Sequence, residues 1–272
     1  MLFFIASQDN LVNNAKSLSC LGGGGNRTPG RLPMFSFCRG SIGGMIRAVL
    51  FDVGDTLILG HPKYWLWPIL EAKGLAQQAD LKRLPQAMKD AYAHYSDHHM
   101  RATDEATALS FWRAFHWEIM DGIGLGAYAD EVADYLKEHW QSPQVWPITP
   151  GAKEVLAELK GLGFRLGVVS NWDWTLPGVL QATGLAGFFD YIGVSALEGV
   201  AKPDPRLFQV VLRALQVEPP QALHVGDSED DIKGALAAGV RPILFDPYKE
   251  NPNALHDLTR VVTYATGRAE EL

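Results

Sequence analysis

From Ile46 onward, short apolar runs alternate with stretches of helical period. Ile46-Arg-Ala-Val-Leu-Phe51 reads as a buried strand. After residue 147 the pattern repeats as helix 152–162, strand 165–170, helix 176–183, strand 189–194, helix 205–216, strand 222–226, helix 230–238 and strand 242–246. In the first of these helices Ala152, Val155, Leu156 and Leu159 fall on one apolar face, and Gly161 and Gly163 stop it. Arg165-Leu-Gly-Val-Val169 is too short for a helix and is bounded by breakers. Such alternation predicts an α/β fold, a Rossmann-like parallel sheet with helices on both faces. Ligands then gather at the carboxyl ends of the strands.

Residues 61–146 interrupt the alternation. They carry helical periodicity without a convincing strand and hold six of the eight tryptophans, Trp65, Trp67, Trp112, Trp117, Trp140 and Trp146. The chain returns to the sheet at Trp146-Pro-Ile-Thr-Pro-Gly151, which predicts a helical cap over the strand ends. The expected division is a core of 45–60 and 147–272 and a cap of 61–146. Residues 1–44 have neither strand nor helix period, are broken by Gly22 to Gly25, Pro29, Gly30 and Gly43-Gly44, and are expected to be a flexible extension. Their opening Met1-Leu-Phe-Phe-Ile-Ala lacks the basic start and the length of a secretory signal.

Composition narrows the partners. The 272 residues are 47% hydrophobic and 20% charged, an ordinary globular balance. Lys16, Arg27, Arg31 and Arg39 against Asp9 leave residues 1–44 at +3, so 45–272 carry −10 toward the net −7. An acidic body without a Lys/Arg cluster argues against nucleic acid and anionic membrane surfaces and for a small-molecule partner, the chain acting as a monomer or homodimer. No run reaches the roughly 18 apolar residues that span a bilayer. The two cysteines, Cys20 and Cys38, both precede the core, and so low a cysteine content reads as a reducing, cytoplasmic setting.

Four predicted strand-end loops carry chemistry. Asp52 follows the first strand and precedes Val53-Gly54-Asp55-Thr56-Leu57, where small residues permit a sharp turn; the second strand runs into Ser170-Asn171. Lys202 lies in Gly199-Val-Ala-Lys-Pro-Asp204, just before a helix that opens with Pro205. The strand at 222–226 runs into Gly226-Asp227-Ser228-Glu229-Asp230-Asp231. Taken singly, an Asp or Ser at a strand end is usually a helix cap. Taken in this order, carboxylate, hydroxyl, amine and acidic cluster resemble the four motifs of the haloacid dehalogenase superfamily of phosphatases and related hydrolases. The likeness runs from residue 46 to about 248, with the cap placed after the first motif as in the subfamily having a helical lid.

The resemblance implies a phosphohydrolase that works on a small phosphorylated metabolite with Mg²⁺. Asp52 would attack phosphorus to form an aspartyl-phosphate that water then hydrolyses. Asp52, the Gly54 carbonyl and Asp227 would ligate the metal, with Asp231 one helical turn beyond as an outer or water-mediated ligand able to orient Lys202. Ser170, the Asn171 backbone N–H and Thr56 would hold phosphate oxygens, and Lys202 would neutralise shared charge. Trp172 and Trp174 are expected to wall the leaving-group side, with Asp173 either a helix cap or a substrate contact.

One position departs from the family pattern. Many of these phosphatases carry a second Asp two residues after the nucleophile as general acid and base; here that residue is Gly54. Asp55 is expected to bond its own turn instead of replacing it. Dehalogenases of the superfamily share this departure and the Ser-Asn pair, so metal-independent 2-haloacid dehalogenation is the rival, and a weakly catalytic phospho-ligand or partner-binding protein a third possibility. The acidic run from Asp227 to Asp231 favours the metal-dependent chemistry, because only a cation offsets its repulsion with Asp52. His94 and His98, four apart, are expected on a solvated helix face, and Phe111, Trp112, Phe115, Trp117 and Ile119 in cap packing.

Overall fold

Ala48–Phe51 form β1, fully buried because strands pair with it on both sides. In this computed structural model residues 45–139, 142 and 145–268 are described, so the expectations for residues 1–44 and for Trp140 fall outside the described residues. The helices that follow β1 are α1 (Pro62–Trp65), α2 (Trp67–Ala72), α3 (Leu84–His98), α4 (Glu105–Gly122) and α5 (Ala129–His139). Then come α6 (Ala152–Gly161), β2 (Arg165–Ser170), α7 (Leu176–Ala182), β3 (Tyr191–Val194), α8 (Ser195–Glu198), α9 (Pro205–Leu215), β4 (Ala222–Gly226), α10 (Glu229–Ala237), β5 (Arg241–Leu244) and α11 (Val261–Thr266).

The sheet has five parallel strands in the order β3-β2-β1-β4-β5. Its two faces follow the period of two: Val49 and Phe51 join Leu166, Val168, Leu223 and Val225 in one apolar layer, while Ala48 and Leu50 join Val169, Ala222 and the α9 residues Leu207, Phe208 and Val211 in the other. Phe51 is level with Val168 and Val225, so the residues that end β1, β2 and β4 emerge along one edge.

β1 starts at Ala48, not at Ile46, and two further strands are shorter than the sequence reading, each where an aspartate takes up backbone N–H groups. β3 starts at Tyr191, not at 189, since the Asp190 carboxylate accepts the Leu166 N–H at 2.9 Å and pairs with Lys160 at 2.8 Å. β5 ends at Leu244, not at 246; the Asp246 carboxylate instead collects the N–H groups of Tyr248, Lys249, Glu250 and Asn251.

Between β1 and α6 the described residues form helices and no ladder strand. Asp104 and Thr107 close a capping box that starts α4. Tyr95 of α3 then packs on Phe111, Trp112 and Phe115 of α4 with ring centroids 5.4, 5.7 and 6.0 Å away. His94 and His98 depart from the solvated face expected of them: the half-buried rings stack at 4.3 Å, with His94 Nδ1 4.0 Å from Glu118 Oε1. The chain leaves and re-enters the sheet side by side, Thr149 N–H donating to Leu57 O at 2.9 Å and Leu59 N–H to Pro147 O at 2.8 Å around an antiparallel bridge of Ile58 and Ile148. Among the described residues no helix is long and apolar enough to cross a membrane.

Candidate active site

Asp52 leaves β1 with its N–H donated to Val225 O at 2.9 Å, which fixes its backbone at the sheet edge. Its carboxylate is 7% exposed and accepts from Lys202 Nζ at 2.8 Å. The same ammonium donates to Asp231 Oδ1 at 2.6 Å. Lys202 arrives on the loop between α8 and α9, across a cis Lys202–Pro203 bond. Asn171 holds that loop twice, donating Nδ2 to Lys202 O at 2.9 Å and accepting the Lys202 N–H at 2.7 Å. Ser170, 1% exposed, lowers the pKa of the Asp52 carboxyl against the effect of burial.

Asp231 is both a helix cap and an anchor. It is the third residue of α10, where Ser228 N and Oγ donate to Oδ2 at 3.1 and 2.6 Å, and Oδ1 takes Lys202 together with His224 Nε2 at 2.7 Å. Gly226 makes this possible: a Cβ there would lie 2.2 Å from Asp231 Cγ. Burial drives the Asp231 carboxyl up, but Lys202 and His224 outweigh it and hold it well below the usual carboxylate range. For Lys202, burial favours the neutral amine, yet Asp231 and Asp52 keep the ammonium charged and raise its pKa. Asp52 is raised by burial, with Lys202 opposing and Asp231 adding to the rise.

Asp227 has no such support. No hydrogen bond from the described residues reaches its carboxylate, and burial followed by the charges of Asp52, Asp231 and Asp55 pushes its pKa well up. Ligand oxygens of Asp52, Asp227 and Asp231 lie within 4.8 Å of one another. Three carboxylates facing one ammonium form a donor set of hard oxygens suited to a divalent cation such as Mg²⁺.

The remaining expected residues scatter. Thr56 is wholly buried, with its hydroxyl unpartnered among the described residues, and makes no polar contact with the Asp52 cluster. Gly54 is backed by Trp172, whose ring would sit 3.6 Å from a Cβ at that position. Trp172 also packs edge-on against Trp146 at 5.3 Å. Trp174 points elsewhere, lining a cavity of about 320 Å³ with Trp112, Arg113 and Lys137 of α4 and α5. Asp173 accepts the Thr175 N–H at 2.8 Å, within its own turn. Asp55 adopts φ +48° and accepts from the Gly60 N–H at 2.8 Å and from the Tyr248 hydroxyl.

Sequence reasoning missed His224, Ser228 as a ligand of Asp231, Tyr248, and the pair His99 and Ser195. Ser195 Oγ bonds the N–H and C=O of Trp172, each at 3.0 Å, and His99 Nε2 at 2.9 Å, so the end of α3 meets the loop after β2. A serine three residues before Asp231 is a capping signal and was readable; the others depend on contacts distant in sequence.

With this geometry in place, residues 46–239 match the family of haloacid dehalogenase-like hydrolases. The chain belongs to that family. It is 32% identical over 208 residues to the haloacid dehalogenase-like hydrolase domain-containing protein 3 of Bos taurus, covering 73% of this chain and 81% of that one. It is also 32% identical over 182 residues to a phosphoserine phosphatase of Thermus thermophilus, covering 63% and 70%. Among solved structures a dehalogenase superposes with a TM-score of 0.62 at 20% identity, over 81% of this chain and 97% of that one, which establishes the shared fold. The protein is a hydrolase of this family.

Proposed function

We propose that the chain is a Mg²⁺-dependent phosphohydrolase for a small phosphorylated metabolite, with the helices of residues 61–146 acting as its cap. The observation that carries this reading is Asp227, a carboxylate without a donor, set against Asp52 and Asp231. Electroneutrality at such a cluster calls for a cation before a phosphate dianion can enter. Asp52, Asp227 and the Gly54 carbonyl would hold Mg²⁺, with Asp231 outside them, and the ion would supply charge neutralisation to the phosphoryl oxygens. The phosphoserine phosphatase relative supports the reaction class.

In the proposed reaction one Asp52 oxygen attacks phosphorus while the bond to the leaving oxygen breaks. The aspartyl-phosphate so formed is then cleaved by water, releasing inorganic phosphate and the free carboxylate. Lys202 keeps its proton throughout and carries positive charge against the Asp52 carboxylate, and Ser170 and the Asn171 N–H orient phosphate oxygens. Trp172 supplies the apolar wall beside Gly54. A substrate of the cap-enclosed, metabolite-sized class fits a site built from strand ends.

The rival is metal-independent dehalogenation, favoured by Gly54, where no carboxylate stands to serve as a general acid. One panel separates them: p-nitrophenyl phosphate hydrolysis with and without Mg²⁺, beside chloride release from 2-chloropropionate. Mg²⁺-dependent phosphate release is expected. Chloride release indifferent to chelator would overturn the phosphohydrolase reading, and inactivity in both assays would favour a binding protein.

A further inference from the structure

The geometry points to His224 as a positioning residue that, through Asp231, sets the Lys202 ammonium against Asp52. This rests on the proposed phosphohydrolase reading for its kinetic consequence, though not for its structural one. His224 occupies β4, one residue before Val225, on the face of the sheet that packs against α9. It is wholly buried, with Phe208 edge-on at 4.8 Å between ring centroids. An aliphatic residue would satisfy that face as Leu50 and Val169 do.

The imidazole is held at one atom. Nε2 lies 2.7 Å from Asp231 Oδ1, while Nδ1 is buried without a hydrogen-bond partner among the described residues. A buried ring nitrogen left bare is unfavourable, so the ring is retained for what Nε2 does. Because an ionised carboxylate only accepts, Nε2 must carry the hydrogen it shares with Asp231.

The consequence appears in the Asp231 count of donors. Oδ1 takes His224 and Lys202, and Oδ2 takes the Ser228 N–H and hydroxyl, so four donors meet about four lone-pair directions. Removing Ser228 would loosen Oδ2; removing His224 loosens the oxygen that grips Lys202. Freed on that side, the carboxylate can rotate about its Cβ–Cγ bond, and Lys202 loses the fixed second partner that keeps its ammonium directed to Asp52 at 2.8 Å. His224 touches neither substrate nor Asp52 and acts only by holding Asp231.

The test compares His224→Gln, whose amide nitrogen reaches where Nε2 stands, with His224→Asn, whose shorter amide does not, and with His224→Leu, which fills the apolar face. With p-nitrophenyl phosphate and Mg²⁺, Asn and Leu should lower kcat about 10–100-fold with KM within about 2-fold, and Gln should recover most of that loss. In metal-free protein the ¹⁵N resonance of the buried Lys202 ammonium should be protected from exchange in wild type and Gln and broadened in Asn and Leu. Equal rates in Gln and Asn, rates that follow melting temperature, or a Lys202 signal unchanged across the series would each overturn the assignment. Should wild type fail to hydrolyse the phosphate, the reaction reading falls, and the Lys202 signal alone decides the role of His224. If Leu does not fold, the Gln against Asn contrast carries the test.

Discussion

The sheet edge and the helical segment bury polar groups by opposite rules. At the edge, Lys202 and Asp231 stay charged in near-complete burial because each has a charged or hydrogen-bonding partner within 2.8 Å. In α4, His116 is also buried, ringed by Trp65, Trp112 and Phe115 at 5.5 to 5.8 Å, and burial alone drives its pKa down to about 3. Charge survives at the edge, where partners offset burial, and is given up at His116, where burial lowers the pKa. On the proposed reading, the anionic substrate would bind in the first region and the helical segment would cover it.

The sharpest way to break this comparison is Asp52→Asn, which keeps the volume and removes the nucleophile. Turnover of p-nitrophenyl phosphate should fall about 10⁴-fold or more, with an unchanged circular dichroism spectrum. Retention of a tenth of the rate would end the covalent scheme.

Asp227 is the carboxyl at the edge that no hydrogen bond from the described residues reaches, so metal removal should act there. Chelator should reduce activity by at least about 100-fold, restored by Mg²⁺, and Asp227→Ala should raise the Mg²⁺ concentration needed for half-maximal rate. Titrating Mg²⁺ against rate reads both effects.

Gly54 tests whether the edge lacks one group by design of its sequence. It is not among the glycines at positive φ, and a Cβ there meets the Trp172 ring at an ordinary 3.6 Å, so Gly54→Asp introduces no backbone strain. Wild type should favour aryl over alkyl phosphates steeply. The aspartate should raise alkyl turnover about 10²-fold, within the range of a general acid. A wild-type rate flat across leaving-group pKa, made steep by Asp55→Asn, would transfer the acid role to Asp55 despite its bonds to Gly60 and Tyr248.

The smallest effect concerns the helical segment and stability. Unfolded, His116 takes up a proton near pH 6.5; folded, it does so near 3. The unfolded chain therefore binds more protons between those values, and this residue's contribution to stability is lost as pH falls through 6.5, by at most about 1.4 kcal/mol per unit. His116→Leu should flatten the drop in urea midpoint between pH 7 and 5. An unchanged slope would mean that other groups carry it.

Much of the sheet was legible because its strands are short apolar runs stopped by Gly, Pro, Asn or Asp, and all the motif residues but Lys202 and Asp231 follow those stops directly. Asp52, Ser170, Asn171, Lys202, Asp227 and Asp231 could be placed at one edge from strand order alone. His224 was hidden by the same rule, since a strand position that reads as core attracts no chemical attention. Tyr248 meets Asp55 across 193 residues, and His99 meets Ser195 across 96, distances over which no local period carries information. That Thr56 is wholly buried, and that Trp174 lines a cavity with α4 and α5 while Trp172 backs Gly54, depends on how the two loops fold and not on a local pattern.

Residues 57–59 and 147–149 hydrogen-bond to each other around the bridge of Ile58 and Ile148, so the two ends of the helical segment are joined beside the sheet. The spacing of β1 from its neighbours is set by its ladders to β2 and β4 and not by the length of chain that lies beyond this junction.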